Sequence, residues 1–302
     1  MTNDEYMREI RVFAPAKLNL YLDVMEKRPD GFHNIETIFE KIDLRDEIII
    51  KEKGRGLKVE VGTADCSRGE ENIVYKAAQR LFKETGVKLN LHIEIKKRIP
   101  VSAGLGGGSS DAASTLKAIN EIFKLGIPDK RLFSIACNIG KDVPFFMMNA
   151  SFAVARGAGE QLKKINLDKA LFHILIKPPI SLSTGLMYKR IDRRNFSGRA
   201  HSLKDALCAL EKIDVKALEE NYYNIFESVL GRNIVHIDKV KALLARSGGR
   251  RSLLSGSGPS VFCTFENKKG AEEVLKKIPK DKRAGIFLVK TYKGGIYGDN
   301  RG

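Results

Sequence analysis

A chain of 302 residues can bury one large or two moderate cores, and 53 Lys+Arg against 37 Asp+Glu give it a formal charge of +16 and a pI near 9.6. That balance suits acidic partners, from nucleic acid and membrane surfaces to phosphorylated metabolites, and a solvated lysine-rich surface explains it equally well. The basic residues run from Arg8 to Arg301 without an arm or tail, which argues against a dedicated nucleic-acid binder.

Cys66, Cys137, Cys208 and Cys263 are far apart, with no Cys-x-x-Cys or His-x-x-x-His, and read as reduced thiols rather than metal ligands. A polar start and apolar runs broken by charge predict neither a signal peptide nor a membrane span, hence a soluble cytoplasmic protein. No internal repeat is present.

Residues 12–25 alternate as a strand through Ala14, Pro15, Ala16, Lys17, Leu18 and Asn19. Lys17 either points inward among apolar neighbours, which demands a reason, or lays its stem along the surface and sends its amine to water. Pro29, Asp30 and Gly31 predict a turn before Phe32 and His33, which either grip a flat ring or pack locally. Strands are expected at 35–39 and 44–51. A helix is expected over 72–84 with Gly86 as its C-cap, then a strand over 89–95.

That strand delivers the chain to Pro100-Val-Ser-Ala-Gly104-Leu105-Gly106-Gly107-Gly108-Ser109-Ser110-Asp111. Its four glycines let successive N–H groups converge on an anion, and Ser109 or Ser110 is expected to N-cap a helix through Leu116 and Phe123, so a bound phosphate would face the helix's positive end. The same pattern also fits a plain strand-to-helix connection. It lacks the lysine of a Walker loop and the placement of a dinucleotide fingerprint.

A short helix is expected over 132–139, followed by Gly140-Lys141-Asp142-Val143-Pro144-Phe145-Phe146; Asp142 there is either partly desolvated for proton handling or a cap for local amides. A strand and tight turn at 152–160 close a first domain, and a boundary falls near 165. Beyond it come a strand at 171–177, a loop into a helix near Tyr188, and helices over 203–213, 215–230 and 236–247. A second small-residue turn, Ser255-Gly256-Ser257-Gly258-Pro259-Ser260, then precedes a helix at 268–277 and a strand at 286–291. Helices on one side of a mostly antiparallel sheet suit this half.

The run from Pro100 to Ala113 resembles the second motif of the GHMP small-molecule kinases. The likeness spans nearly the whole chain, through Pro15–Asn19, Arg28–Thr37, the segment at Asp142 and the turn from Leu254 to Phe262; the Asp30-Gly31-Phe32-His33 element resembles the members acting on a cytidine-diphosphate-linked methylerythritol.

The resemblance implies an α+β, two-domain GHMP kinase fold. A ribosomal protein S5 domain 2-like ATP-binding domain would occupy 1–165 and a ferredoxin-like α+β domain 166–302. It implies ATP- and Mg²⁺-dependent phosphorylation of that substrate's 2-hydroxyl in non-mevalonate isoprenoid synthesis, with Asp142 as general base and Lys17 fixing and charge-stabilising it. Phe32 and Tyr188 would sandwich cytosine, His33 would bond its edge, and Asn19 and Thr184 would lie near substrate. Asn72 and Lys97 would lie near adenosine, while Pro100, Gly104, Leu105, Gly106, Gly107, Gly108, Ser109 and Ser110 would hold the phosphates. Magnesium would bridge phosphates with few protein ligands and several waters.

Phe32 stands where some members carry tyrosine, Asp111 where others carry asparagine, and the tail after Tyr292 lies outside the motifs that carry the resemblance. The expected partner is a small molecule, with no nucleic acid or membrane, for a monomer or homodimer. Competing readings are a GHMP kinase for a simple alcohol and, from the ribosomal-protein likeness, an RNA-binding module.

Overall fold

The computed structural model describes residues 8–63, 66, 69–88, 90–193 and 202–297. Two long antiparallel strands, β1 (Glu9–Lys27) and β2 (His33–Glu52), form its spine, joined by a turn with Gly31 at φ +85°. Where separate strands are expected at 35–39 and 44–51, β2 is continuous. Its register against β1 shifts between Pro15↔Arg45 and Ala16↔Ile42, so Asp43 and Leu44 form a bulge beside a proline that has no N–H to donate.

Around this spine lie β3 (Leu57–Val61), α1 (Ile73–Thr85), β4 (Leu91–Lys96), α2 (Gly107–Ile122), α3 (Asp129–Cys137), α4 (Val143–Met147), β5 (Phe152–Arg156) and β6 (Gln161–Ile165). The second half carries β7 (Phe172–Lys177), α5 (Thr184–Ile191), α6 (Leu203–Glu211), α7 (Val215–Glu220), β8 (Tyr223–Asn224), α8 (Ile234–Ser247), β9 (Ser252–Leu254), β10 (Val261–Phe265), α9 (Lys268–Leu275) and β11 (Gly285–Lys290). The first sheet runs β3-β4-β2-β1-β8, with β5 on the other half of β2 and β6 beyond it; the second runs β11-β7-β10-β9, all antiparallel.

The helix expected over 215–230 is broken. It stops at Glu220, Tyr223 and Asn224 pair with Tyr21 and Leu22 of β1, and the chain then turns through a short 3₁₀ segment. Asn224 causes the break by donating to the carbonyls of Leu254 and Gly256, 2.8 Å each, while accepting from Phe226 N. The expected strand over 89–95 is β4, with Leu89 itself outside the described residues.

The covering layers bury β1 without interruption from Ala14 to Val24, which puts Lys17, Asn19 and Asp23 inside the protein. One apolar core packs α1–α4 on the first sheet. A second joins Ala16, Leu18 and Ile38 of the spine to Leu175, Phe262 and Leu210 of the other half, and a third fills the space under α5, α8 and α9.

A buried polar chain crosses the same junction. Glu40 of β2 approaches His173 of β7 at 3.0 Å, close enough for an ion pair although not aligned as a hydrogen bond, and accepts from Thr291 Oγ1 at 2.6 Å. His173 Nδ1 meets Thr264 Oγ1 at 3.0 Å, and Thr264 bonds Tyr222. Glu40 and His173 have no solvent exposure, so each depends on the other for solvation. Glu40→Ala is therefore expected to cost about 3 kcal/mol by stranding His173 and Thr291, and Glu40→Gln clearly less, as measured by urea unfolding.

Candidate active site

Fourteen residues from Val12 to Met25 include few that can carry chemistry, and the fold turns one of these, Lys17, inward. Its side chain is 5% exposed, its ammonium donates to Asn19 Oδ1 and stands 3.8 Å from Asp142 Oδ2, and it lies 5.3 Å from the Phe39 ring centroid. Asn19 in turn donates to Thr37 Oγ1 at 2.8 Å. Burial lowers the Lys17 pKa and Asp142 opposes that shift. The surface-lying alternative for Lys17 is thereby excluded.

Asp142 sits at the N-cap of α4 but makes no capping bond, and Pro144 in the first turn removes a donor that a cap would satisfy. Its carboxylate is a third exposed and faces the cavity beside Lys17.

The glycine turn is where strand and helix meet, as the sequence predicts, but its cap differs. The N-cap of α2 is Gly106 at φ +69° with no side-chain cap. Ser109 and Ser110 lie inside the first turn, Ser110 fully buried with an unpartnered hydroxyl and Ser109 lining the cavity. A β-carbon on Gly106 would stand 3.0 Å from Lys17 Cγ, and one on Gly107 3.2 Å from Lys97 Nζ, so the loop is pressed onto both lysines. The first N–H groups of α2 thus have no side-chain cap, and a helix opening of this kind can receive an anion.

Gly104 carries φ +76°, and an added β-carbon would fall 2.1 Å from Ser255 O. The second small-residue turn is thus in contact with the first: Ser255 Oγ donates to Gly104 O at 3.1 Å, and Gly256 leaves no room for a β-carbon between Gly104 O and Lys17 Nζ. Gly256, Ser257 and Gly258 line the site, and Ser257 Oγ bonds Thr184 Oγ1 at 2.7 Å. The run from Leu254 to Phe262 marked this turn in the sequence, without saying that it touches the glycine loop.

One cavity of about 1080 Å³ joins these parts. Lys17, Asn19, Phe32, His33, Asn72, Lys97, Pro100, Gly104–Gly108, Ser109, Asp142, Thr184 and Tyr188 all line it, and among the residues expected at the site only Ser110 is walled off.

Several of these side chains also have partners within the protein. Lys97 points its ammonium away from solvent to Asp46 and Asp111, at 2.5 and 2.8 Å. His33 stacks on Tyr188, with centroids 5.2 Å apart and planes 27° apart; Phe32 is 47% exposed with Lys141 4.1 Å over its ring. His33 Nε2 lies 2.6 Å from Asp192 Oδ1, and Lys27 draws Asp192's carboxyl below its usual range, with His33 adding to this. Burial and the charge of Asp142 push Tyr188 to about 12, keeping its hydroxyl protonated. Asn72 caps α1 by accepting from Val74 N at 2.8 Å.

Asp46 was not legible in the sequence, because it lies 51 residues before the lysine it holds. It accepts from the amides of Arg98 and Ile99, at 2.5 and 2.8 Å, and so ties β2 to the start of the glycine turn. One ammonium cannot fully offset two buried carboxylates. Asp111 is raised to about 7 by burial, which Lys97 opposes and Asp46 reinforces, while the two carboxylates hold Lys97 charged above its usual value against its own burial.

Among the described residues no group of three or more His, Cys, Asp or Glu could hold a metal, and no helix is long and apolar enough to cross a membrane.

Comparison with known proteins points one way. A family model described as the GHMP kinases N terminal domain matches residues 72–150, and one described as GHMP kinases C terminal matches 206–284. The 4-diphosphocytidyl-2-C-methyl-D-erythritol kinase of Acetivibrio thermocellus is 37% identical over 265 residues, 88% of this chain and 93% of its own. That of Syntrophomonas wolfei is 36% identical over 285 residues, 94% and 99% of the two chains. A crystal structure of 4-(cytidine 5'-diphospho)-2C-methyl-D-erythritol kinase superposes with a TM-score of 0.77 at 31% identity, covering 95% of this chain and all of the other. A homoserine kinase from Cytophaga hutchinsonii, at 18% identity and a TM-score of 0.69 over 97% of both chains, shares the fold.

Gly104→Ala is expected to destabilise the protein by at least about 2 kcal/mol through left-handed strain and the clash with Ser255, and to weaken ATP binding, whereas Gly108→Ala meets only Ile73 at 3.4 Å and should fold normally; thermal melts compare the two. Asp111 should also shape stability against pH. Its folded pKa of about 7 exceeds the unfolded value, so between these the native state binds more protons and stability falls as pH rises. In Asp111→Asn that decline is expected to flatten, read from denaturant midpoints across the same window.

Proposed function

The chain belongs to the 4-diphosphocytidyl-2-C-methyl-D-erythritol kinases of the GHMP kinase family, and on that footing we propose that it transfers the γ-phosphoryl group of ATP to the 2-hydroxyl of 4-diphosphocytidyl-2-C-methyl-D-erythritol, with Asp142 receiving the hydroxyl proton and Lys17 holding Asp142. The observation that carries this reading is the approach of Lys17 and Asp142 to 3.8 Å beside the glycine loop, within one cavity.

In the proposed step the substrate oxygen forms its bond to phosphorus as the bond to the bridging oxygen breaks, ADP leaves, and the proton passes to the Asp142 carboxylate. Lys17 keeps that carboxylate oriented, since its buried ammonium is fixed between Asn19 and Asp142. The α2 N–H groups and Ser109 fit the phosphates, because the four glycines leave a cradle that side chains would fill. Magnesium would supply charge neutralisation at the ATP phosphates, and Asp142 and Ser109 are the cavity-lining oxygen donors that would be available to it.

At the other end of the cavity, Phe32 and Tyr188 supply the ring faces for cytosine, with Asn19 and Thr184 towards the methylerythritol. His33, held at Nε2 by Asp192, is the side chain placed to bond the edge of cytosine. Asn72 and the Lys97 backbone border the adenosine end, the Lys97 ammonium serving the loop instead. The two domains are proposed to divide at about residue 165, where β6 ends, with each family model on its own side. A small-molecule enzyme of the cytoplasm, monomeric or homodimeric and without nucleic acid, completes the proposal.

A coupled ATP assay with and without the cytidylated substrate tests the reaction: ADP release should require that substrate and fail with its uncytidylated alcohol. Asp142→Asn is expected to lower kcat by about 10²- to 10⁴-fold while ATP binding persists. Unimpaired turnover in a folded variant would remove Asp142 as the base.

A further inference from the structure

A second cavity, of about 300 Å³, shares no lining residue with the first. Four lysines line it, Lys41, Lys117, Lys164 and Lys293, against one acid, Asp168, whose backbone carbonyl, rather than its carboxylate, takes the Lys293 ammonium. Its outer wall is the tail that no family motif covers. Tyr292 N donates to Lys41 O at 2.8 Å, Ser151 Oγ to Tyr292 O at 2.8 Å, and Phe13 N to Ile296 O at 2.6 Å.

Lys41 is only 7% exposed; its ammonium donates to Met148 O at 2.6 Å and lies 5.2 Å from the Phe145 ring centroid, and among the described residues no carboxylate stands within ion-pair distance of it. Lys117 donates to Phe146 O at 3.1 Å, again without an ion pair among the described residues. Each ammonium has three donors and uses one on a carbonyl. Buried cations are ordinarily paired, and two sharing a cavity also repel. Burial and the neighbouring charge of Lys117 draw Lys41 well below its usual pKa, and burial, opposed by the more distant Asp129, draws Lys117 to about 8. Two neutral donors would serve the carbonyls of 146 and 148 without this cost.

We propose that this cavity is a binding site for a small inorganic oxyanion, phosphate or diphosphate, held between Lys41 and Lys117 beneath the tail. The anion takes the remaining ammonium donors and offsets the repulsion between them. Lys293 and Lys164, both exposed at the rim, add attraction from outside.

The test uses the full chain saturated with a non-hydrolysable ATP analogue, so that the glycine loop is filled, and titrates inorganic phosphate and diphosphate separately by calorimetry. Saturable binding of one or both is expected, weakened at least about tenfold in Lys117→Met and in Lys41→Met and retained in Lys117→Arg. Affinity should also fall as pH rises through about 8, where Lys117 loses its proton. Should Lys41→Met fail to fold, the less buried Lys117 carries the comparison. No heat with either anion, binding unchanged in Lys117→Met, or displacement by the ATP analogue would overturn the proposal.

Discussion

A charged amine has been taken into the middle of a sheet, and most of the molecule is arranged around keeping it there. Lys17 lies in the stretch of β1 that is covered on both faces, where an ammonium without partners would lose several kcal/mol of hydration. Asn19, two residues on and therefore on the same face, supplies an acceptor; Asp142 supplies the counter-charge; the Phe39 ring supplies a face. The glycine loop closes over the lysine stem at Gly106, and the second turn closes over its tip at Gly256. Replace that ammonium with something apolar and the reason for two side-chain-free loops to meet at this point disappears.

Because those loops come from opposite ends of the chain, the site exists only if the halves are fastened to each other. Shared apolar packing does most of this, through Leu18 and Ile38 against Leu175 and Phe262. Apolar packing alone tolerates sliding; the Glu40–His173–Thr264–Tyr222 chain adds directional contacts, with Thr264 bonded to both His173 and Tyr222, and Glu40 held by Thr291 beside His173. Asn224 adds a third fastening, holding β8 against β1 while it grips the carbonyls of Leu254 and Gly256 that lead into the second turn. The loops can therefore touch within a few tenths of an ångström because rigid elements set their separation.

The sequence disclosed what local physics controls. Alternation marked β1 and β4, helical spacing with Asn72 and Gly86 marked α1, and the glycines marked the start of α2. It misled where local preference yields to something distant. Serine is the better N-cap in isolation, but the chain enters this helix through a left-handed residue at φ +69°, which glycine adopts without strain, so Gly106 takes the position. Residues 215–230 have helical spacing throughout, and only Asn224's partners in the following turn explain the break. β3, β6 and β8 are short, with their pairing partners elsewhere, and leave little periodicity to read. Lys17 and Asp142 were singled out by the motifs that surround them; Asp46 and Asp192, which carry no motif, were not.

Asp46 changes how the loop's charge should be understood. With both carboxylates ionised, the group of Lys97, Asp46 and Asp111 is net negative directly behind a cradle suited to phosphate, which would work against its ligand. With Asp111 protonated the group is neutral, and the loop amides face the anion unopposed. Burial already pushes Asp111 to about 7, and an incoming phosphate's negative charge can only push it further in that direction. Asparagine at this position would reach the neutral state without a proton, so Asp111 makes the charge of this buried group depend on pH where an asparagine would not.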